Sequence, residues 1–178
     1  MADPTPVVRE ALPLTRAEFA PFGVLPPYEG DGQPTADLEF LLDDGWVNYI
    51  AHSLDELAPF GRRLCCDRLN RHDTHTQTLM PVSGDAVIVV APAASAMAEP
   101  EDLASVRAFL LRRYECVHLA RGTWHWGPYP VGAESVVIFN VQGRGYPDDN
   151  AVAVLPEACG SVVEVVLPAA GSGAPNDR

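Results

Sequence analysis

Two short segments, Arg71–Gln77 and Arg121–Pro128, contain three of the five histidines of this chain. Side chains alternate along a β-strand, so His75 and Gln77 are predicted to share one face of a strand. A barrel could bring His125, from a later strand, against that face. Two imidazoles and an amide carbonyl oxygen would then form a site that suits Ni, Mn, Fe or Zn.

The alternative is that these histidines are surface residues of a turn-rich edge. His72 lies on the loop before His75 and can turn towards either side of the strand. His52 and His118 are isolated in the sequence, and we predict that both are ordinary structural residues.

Arginine and tryptophan side chains near the second segment are candidates for substrate binding. Arg121 is the first candidate, because a planar guanidinium binds a carboxylate through two hydrogen bonds; the alternative is a surface ion pair. Arg144, between two glycines, is a second candidate. Trp124 and Trp126 flank His125 and would share the opposite face of a strand. Trp124 is the candidate substrate contact, although such a position is more typical of core packing.

The composition excludes several kinds of chemistry. All 12 basic residues are arginines, which excludes every mechanism that needs a lysine, including pyridoxal phosphate linkage. No GxGxxG segment opens a helix and no GxSxG segment is present, so we expect neither a nucleotide cofactor nor a serine hydrolase. The net charge of -12 argues against nucleic acid and anionic membranes as partners.

The sequence also predicts a compartment. It has no apolar run near the roughly 20 residues of a membrane span, and Met1–Glu10 lacks the apolar region of a secretory signal. We therefore expect the four cysteines to be reduced thiols in the cytoplasm.

Short β-branched and aromatic runs separated by turn residues predict a mainly β fold, a barrel or sandwich with a few short helices. Capping patterns at Thr15 and Ser53 predict two of those helices. Glu101–Leu111 fits either a helix or, from Val106, a strand. The predicted strands are Thr76–Met80, Ala86–Ala91, Tyr114–Leu119, Ser135–Gln142, Ala151–Leu155 and Ser161–Leu167.

The length of 178 residues suits one domain. We expect it to span residues 12–168, between a flexible N-terminus (1–11) and a disordered, Gly/Ser/Pro-rich tail (169–178).

Several motifs, in order, resemble the ureidoglycolate lyase family. Pro13–Gly23 resembles the opening of these proteins, and His72–Gly84 resembles their central segment of His, Thr/Ser-Gln, Pro and Gly. Arg121–His125 is similar to the family's Arg-Gly-(Val)-Trp-His signature, and Asp149-Asn150 is similar to its late Asp-Asn pair. The likeness runs from about Leu12 to Val154 and so covers most of the chain.

The resemblance implies a cupin-like double-stranded β-helix, a jelly-roll barrel that is usually dimeric. It implies cleavage of ureidoglycolate to glyoxylate and urea, a step of purine and allantoin breakdown. It also implies a divalent metal, for which nickel is the family's proposed candidate. The sequence departs from the family pattern at Asp73, at the additional His75 and at Trp126. These positions surround the expected pocket, so they bear on the substrate more than on the fold.

Under this interpretation the substrate is a small carboxylate, and each candidate residue has a role. His75, His125 and Gln77 hold a metal or, without one, contact the substrate directly. His72 is the catalytic acid or base, because an imidazole with a reference pKa of about 6.5 suits both roles. Arg121 holds the substrate carboxylate.

Two other functions stay open. One is a metal-dependent cupin enzyme, an oxygenase or isomerase, acting on another small polar acid, which the additional His75 favours. The other is a non-catalytic cupin that binds a small molecule. Both are compatible with the same fold, because such barrels carry many activities.

Overall fold

The computed structural model describes residues 6–26, 39–42 and 44–168. The described strands are β1 (Val7–Pro13), β2 (Gly23–Val24), β3 (Gly45–Ser53), β4 (Cys65–Cys66), β5 (Arg68–Arg71), β6 (Gln77–Pro81), β7 (Ala86–Ala91), β8 (Arg107–Leu111), β9 (Val117–Leu119), β10 (Trp124–Pro130), β11 (Ser135–Gly143), β12 (Ala151–Val154) and β13 (Val163–Val166). The helical elements are short: α1 (Arg16–Phe19), α2 (Leu155–Ala158) and two 3₁₀ helices, Leu54–Phe60 and Pro100–Ser105.

The strands form two sheets. The larger sheet has the order β12-β5-β10-β7-β8-β1-β13-β4, and the smaller has the order β2-β9-β6-β11-β3. Most neighbouring strands are antiparallel, but β1 pairs in parallel with both β8 and β13. This arrangement confirms the predicted mainly β fold with a few short helices.

Strand β7 lies between β10 and β8 in the larger sheet and is buried at every position. Its alternate side chains enter two hydrophobic clusters. Val87 and Val89 pack with Trp126, whereas Ile88 packs with Phe109. Full burial of such a side chain stabilises the fold by roughly 1.5–3 kcal/mol, so the continuous Val/Ile run of β7 is explained by two buried faces.

The structure corrects one prediction about the chain and decides between the two alternatives for another segment. The expected flexible N-terminus reached residue 11, but Val7–Pro13 forms β1, because its backbone is hydrogen-bonded between two neighbouring strands. For Glu101–Leu111, the strand interpretation is the right one: a 3₁₀ helix ends at Ser105 and β8 follows. The predicted disordered tail (169–178) lies outside the described residues. Among the described residues, no helix has the length and apolar character needed to cross a bilayer.

Candidate active site

A cavity of about 790 Å³ lies between strands of the two sheets. Strands β3 and β11 of the smaller sheet form part of its wall, and β5 and β10 of the larger sheet form another part. Residues of the 3₁₀ helix Leu54–Phe60 also line it. His72, Gln77 and His125 are among the lining residues, so the structure brings together three of the predicted site residues.

A backbone carbonyl fixes each of the cavity histidines His72 and His125. His72 Nδ1 lies 2.6 Å from the carbonyl oxygen of Asp149, and His125 Nδ1 lies 3.1 Å from that of Thr123. A carbonyl oxygen only accepts hydrogen bonds, so Nδ1 carries the proton in both rings. The lone pair is then on Nε2, as it is in metal-bound histidines whose other nitrogen donates to the protein.

His75 has the same tautomer for a different reason. Its Nδ1 lies 3.2 Å from a carboxylate oxygen of Asp149, which leaves Nε2 as a buried nitrogen with no hydrogen-bond partner among the described residues. The ring stacks on His72 with 4.5 Å between centroids. Gly143 lies against the His75 ring. A Cβ at this position would be only 3.0 Å from the ring, so glycine leaves the space that the ring needs.

Gln77 is oriented by the amides around it. Its Nε2 donates to Asn140 Oδ1 at 2.9 Å and to Gln142 Oε1 at 3.0 Å. Asn140 in turn donates to Asn48 Oδ1. With both N–H groups of Gln77 used, its Oε1 is left as a buried acceptor with no partner among the described residues.

These acceptors fit a divalent cation. His75 Nε2 and Gln77 Oε1 are buried acceptors with no partner among the described residues, and nitrogen with oxygen donors suits Ni, Mn, Fe and Zn. His72, His75 and Asp149 have ligand atoms within 4.8 Å of one another, and His125 lies outside this group. Asp149 would orient a metal ligand and not bind the metal itself, because its carboxylate already holds His75 Nδ1.

The electrostatics keep two of these rings neutral. Burial, reinforced by the neighbouring His72, lowers the pKa of His125 to about 4. Burial and His72 also lower the pKa of His75. Both rings therefore offer lone pairs rather than charges at neutral pH.

We expect the stability of metal-free protein to fall as the pH is lowered from about 6.5 to 4. In this window the unfolded chain binds protons at His125 that the folded chain does not bind, so the free energy of unfolding falls with decreasing pH. The shift of His125 alone corresponds to on the order of 3 kcal/mol. Urea unfolding of chelator-treated protein across this pH range measures the effect. If the free energy of unfolding of His125→Gln fell by as much as that of the wild type, the prediction would be contradicted.

The arginine and tryptophan candidates Arg121, Arg144 and Trp124 are not among the residues that line the cavity. Arg121 is exposed on the turn before β10 and does not line the cavity. Trp124 is buried in the core, where its Nε1 donates to the carbonyl of Ser95, because it faces away from His125 on β10. Arg144 is exposed, pairs with Asp44 and lies over Trp46, which itself lines the cavity.

Sequence reasoning missed other residues of the site. Asp149, which the family resemblance singled out without a role, accepts hydrogen bonds from the amides of Asp73 and Thr74 and from the Thr74 hydroxyl. Burial alone would raise the pKa of Asp149, but these hydrogen bonds outweigh burial and lower it. His52, predicted to be structural, lines the cavity. So do five further carboxamides: Asn48, Asn70, Asn140, Gln142 and Asn150.

Comparison with known proteins identifies relatives of this chain. The sequence pattern of the family described as ureidoglycolate lyase matches residues 48–161. The ureidoglycolate lyase of Escherichia coli O1:K1 / APEC is 29% identical over 106 residues, which cover 59% of this chain and 62% of that protein. The enzyme of Salmonella paratyphi B is 28% identical over 105 residues, 58% of this chain and 62% of that protein. The chain thus spans less than two thirds of the length of these relatives.

Among solved structures, a mutant oxalate decarboxylase of Bacillus subtilis aligns with a TM-score of 0.33 and 13% identity, over 65% of this chain and 32% of that chain.

Proposed function

This chain belongs to the ureidoglycolate lyase family, and we propose that it cleaves ureidoglycolate to glyoxylate and urea. The observation that carries the proposal is the convergence of His72, Gln77 and His125 on one cavity, with both histidines held through Nδ1 by backbone carbonyls. Such a cavity can hold a small, strongly polar acid and act on its hydroxyl group.

The lining of the cavity suits this substrate. Ureidoglycolate carries a hydroxyl, a carboxylate and a ureido group on one carbon, and carboxamide side chains offer both donors and acceptors to the ureido group. Arg68, which is also paired with Asp67, is the arginine of the described residues that lines the cavity. It replaces Arg121 as the candidate contact for the substrate carboxylate.

We assign the donor role to His72, His75, His125 and Gln77. A divalent metal held there, with nickel as the first candidate, would polarise the substrate oxygens as a Lewis acid. The chain's own contribution is to keep the donor atoms unprotonated and aimed: backbone carbonyls fix His72 and His125, Asp149 fixes His75, and the amide network fixes Gln77.

The test is glyoxylate release from racemic ureidoglycolate, measured with and without a chelator. We expect release to stop when half of the substrate is consumed, because a chiral cavity acts on one enantiomer, and to be lost with the chelator. Absence of release would contradict the lyase proposal. Oxygen consumption on another small acid would then favour a cupin oxygenase, and ligand-induced thermal stabilisation without product would favour a binding protein.

We also propose that the protein is a homodimer in the cytoplasm. Strand β3 is an edge of the smaller sheet, and its outward face is apolar, with Val47 62% and Tyr49 67% exposed. The Tyr49 ring packs on Phe139 of β11 and extends this apolar face. A second copy of the chain would cover the face and its unpaired edge.

We expect light scattering to give the mass of a dimer, and Tyr49→Glu to give a monomer, because a buried unpaired carboxylate opposes association. Tyr114→Glu is the matched control, since Tyr114 is 58% exposed but lies outside β3 and β11. A wild-type protein that is monomeric at micromolar concentration would contradict the proposal.

A further inference from the structure

A third histidine, His52, lines the cavity besides His72 and His125. His52 is on β3, and its ring packs at a tilt of 37° against Tyr129 of β10, with 4.8 Å between centroids. Both residues are among those that line the cavity, as is Glu56 of the 3₁₀ helix that follows β3. The cavity therefore carries a second group of polar side chains, and the roles assigned so far do not use it.

The three side chains form a connected arrangement around one carboxylate. His52 Nδ1 lies 3.0 Å from Glu56 Oε2, and the Tyr129 hydroxyl donates to the same oxygen at 3.2 Å. The amide of Ser53 donates to Glu56 Oε1 at 2.7 Å. Because a carboxylate accepts, the proton of neutral His52 is on Nδ1, and Nε2 is the nitrogen left for a molecule in the cavity.

Glu56 stays ionised in this arrangement. Burial alone would raise the pKa of its carboxyl group, but the hydrogen bonds from His52 and the Ser53 amide outweigh burial, and the pKa lies below its usual value. A carboxylate on Nδ1 fixes the imidazole's orientation and stabilises the charged ring when Nε2 takes up a proton, as in other carboxylate–histidine pairs.

The other titratable groups of the cavity suit proton transfer less well. Asp67 is paired with Arg68. The pKa of Tyr129 is raised by burial and by Glu56, so the phenol keeps its proton. His72 and His125 belong to the donor cluster. His52 remains, and an imidazole exchanges a proton readily near neutral pH.

We propose that His52, positioned by Glu56, is the proton carrier of the C–N cleavage, an inference that rests on the proposed function. Nε2 accepts the hydroxyl proton of ureidoglycolate while the oxygen electron pair forms the C=O bond of glyoxylate. The C–N bond breaks and its electron pair stays on the ureido nitrogen. His52 then returns the proton to that nitrogen, and urea leaves. No proton is gained or lost overall, and no co-reactant is needed.

His52→Gln tests the assignment in the otherwise intact protein. We expect kcat for urea release to fall by at least about 100-fold, the usual range for lost acid–base catalysis, with KM within a few-fold of wild type and metal content unchanged. We expect added imidazole to restore part of kcat in His52→Gly. A role in packing alone would not produce this rescue.

Glu56→Gln tests the positioning role. We expect a smaller loss of kcat than in His52→Gln, with KM within a few-fold of wild type, because the charged His52 ring loses its carboxylate partner. Asp55→Asn is the matched control: Asp55 is the exposed neighbour in the same helix, pairs with Arg62, and does not line the cavity.

The outcomes separate the two proposals. If the wild-type protein turns over ureidoglycolate and His52→Gln keeps its kcat, the assignment of His52 is overturned while the lyase function stands. If the wild-type protein has no turnover, the lyase proposal fails and the assignment of His52 fails with it. Loss of metal in His52→Gln would also overturn the assignment, because it would place His52 in the donor cluster.

Discussion

His125→Ala is expected to lower kcat/KM for ureidoglycolate by about 100- to 10,000-fold. The His125 ring is buried, is held through Nδ1 by the carbonyl of Thr123 and lines the cavity. Alanine removes that donor and leaves a gap in its place. Steady-state kinetics of glyoxylate release, together with the nickel content of the purified variant, measure the effect.

The matched control is the same substitution at His118. This histidine is also buried, but it is bound on both ring nitrogens, to the Thr78 hydroxyl and the carbonyl of Glu39, and it does not line the cavity. His118→Ala should lower the free energy of unfolding by roughly 1–3 kcal/mol and keep kcat. Retention of wild-type turnover in His125→Ala would contradict the site.

Asp149→Ala is expected to weaken metal binding by about 10- to 100-fold. Its carboxylate holds the loop before β6 through Asp73 and Thr74 and fixes His75 Nδ1. Its own carbonyl holds His72. Loss of the carboxylate frees the loop and lets His75 change tautomer, so two donors lose their orientation. Calorimetric titration with nickel measures the affinity, and urea unfolding of the metal-free variant measures the stability.

Asp148→Ala controls for the loss of one negative charge in this segment, because Asp148 is the exposed neighbour. We expect it to bind nickel like the wild type. The nickel affinity of Asp149→Asn should lie between those of Asp149→Ala and Asp148→Ala, since an amide oxygen can still accept hydrogen bonds from some of the donors. If Asp149→Ala lost stability but kept its nickel affinity, the carboxylate would be a loop anchor only.

Strand alternation was enough to predict part of the site. Gln77 and His125 face the cavity because each lies at an inward position of its strand, and both positions follow from local sequence. His52 could not be found in this way. On β3 the inward residues include Asn48 and His52, so a strand that lines a polar cavity lacks the apolar alternation by which strands are recognised.

The remaining errors arise from contacts between distant parts of the chain. Asp149 reaches His75 across 74 positions of sequence, and no local pattern indicates that pairing. Arg121 has the right chemistry for a carboxylate, but the turn before β10 directs it outwards. Residue type therefore predicted which side chains could take part in chemistry, whereas the sheet order decided which of them share the cavity.

The position of β1 constrains the order in which this chain can fold. β1 lies between β8 and β13, with Val7 opposite Val163 and Ala11 opposite Ala108, so its partners are 156 and 97 positions away in the sequence. β1 is synthesised before the other described strands and must wait for β13 before its pairing is complete. Such long-range pairing slows folding, and until β13 arrives, β1 has an open edge to which another chain can add.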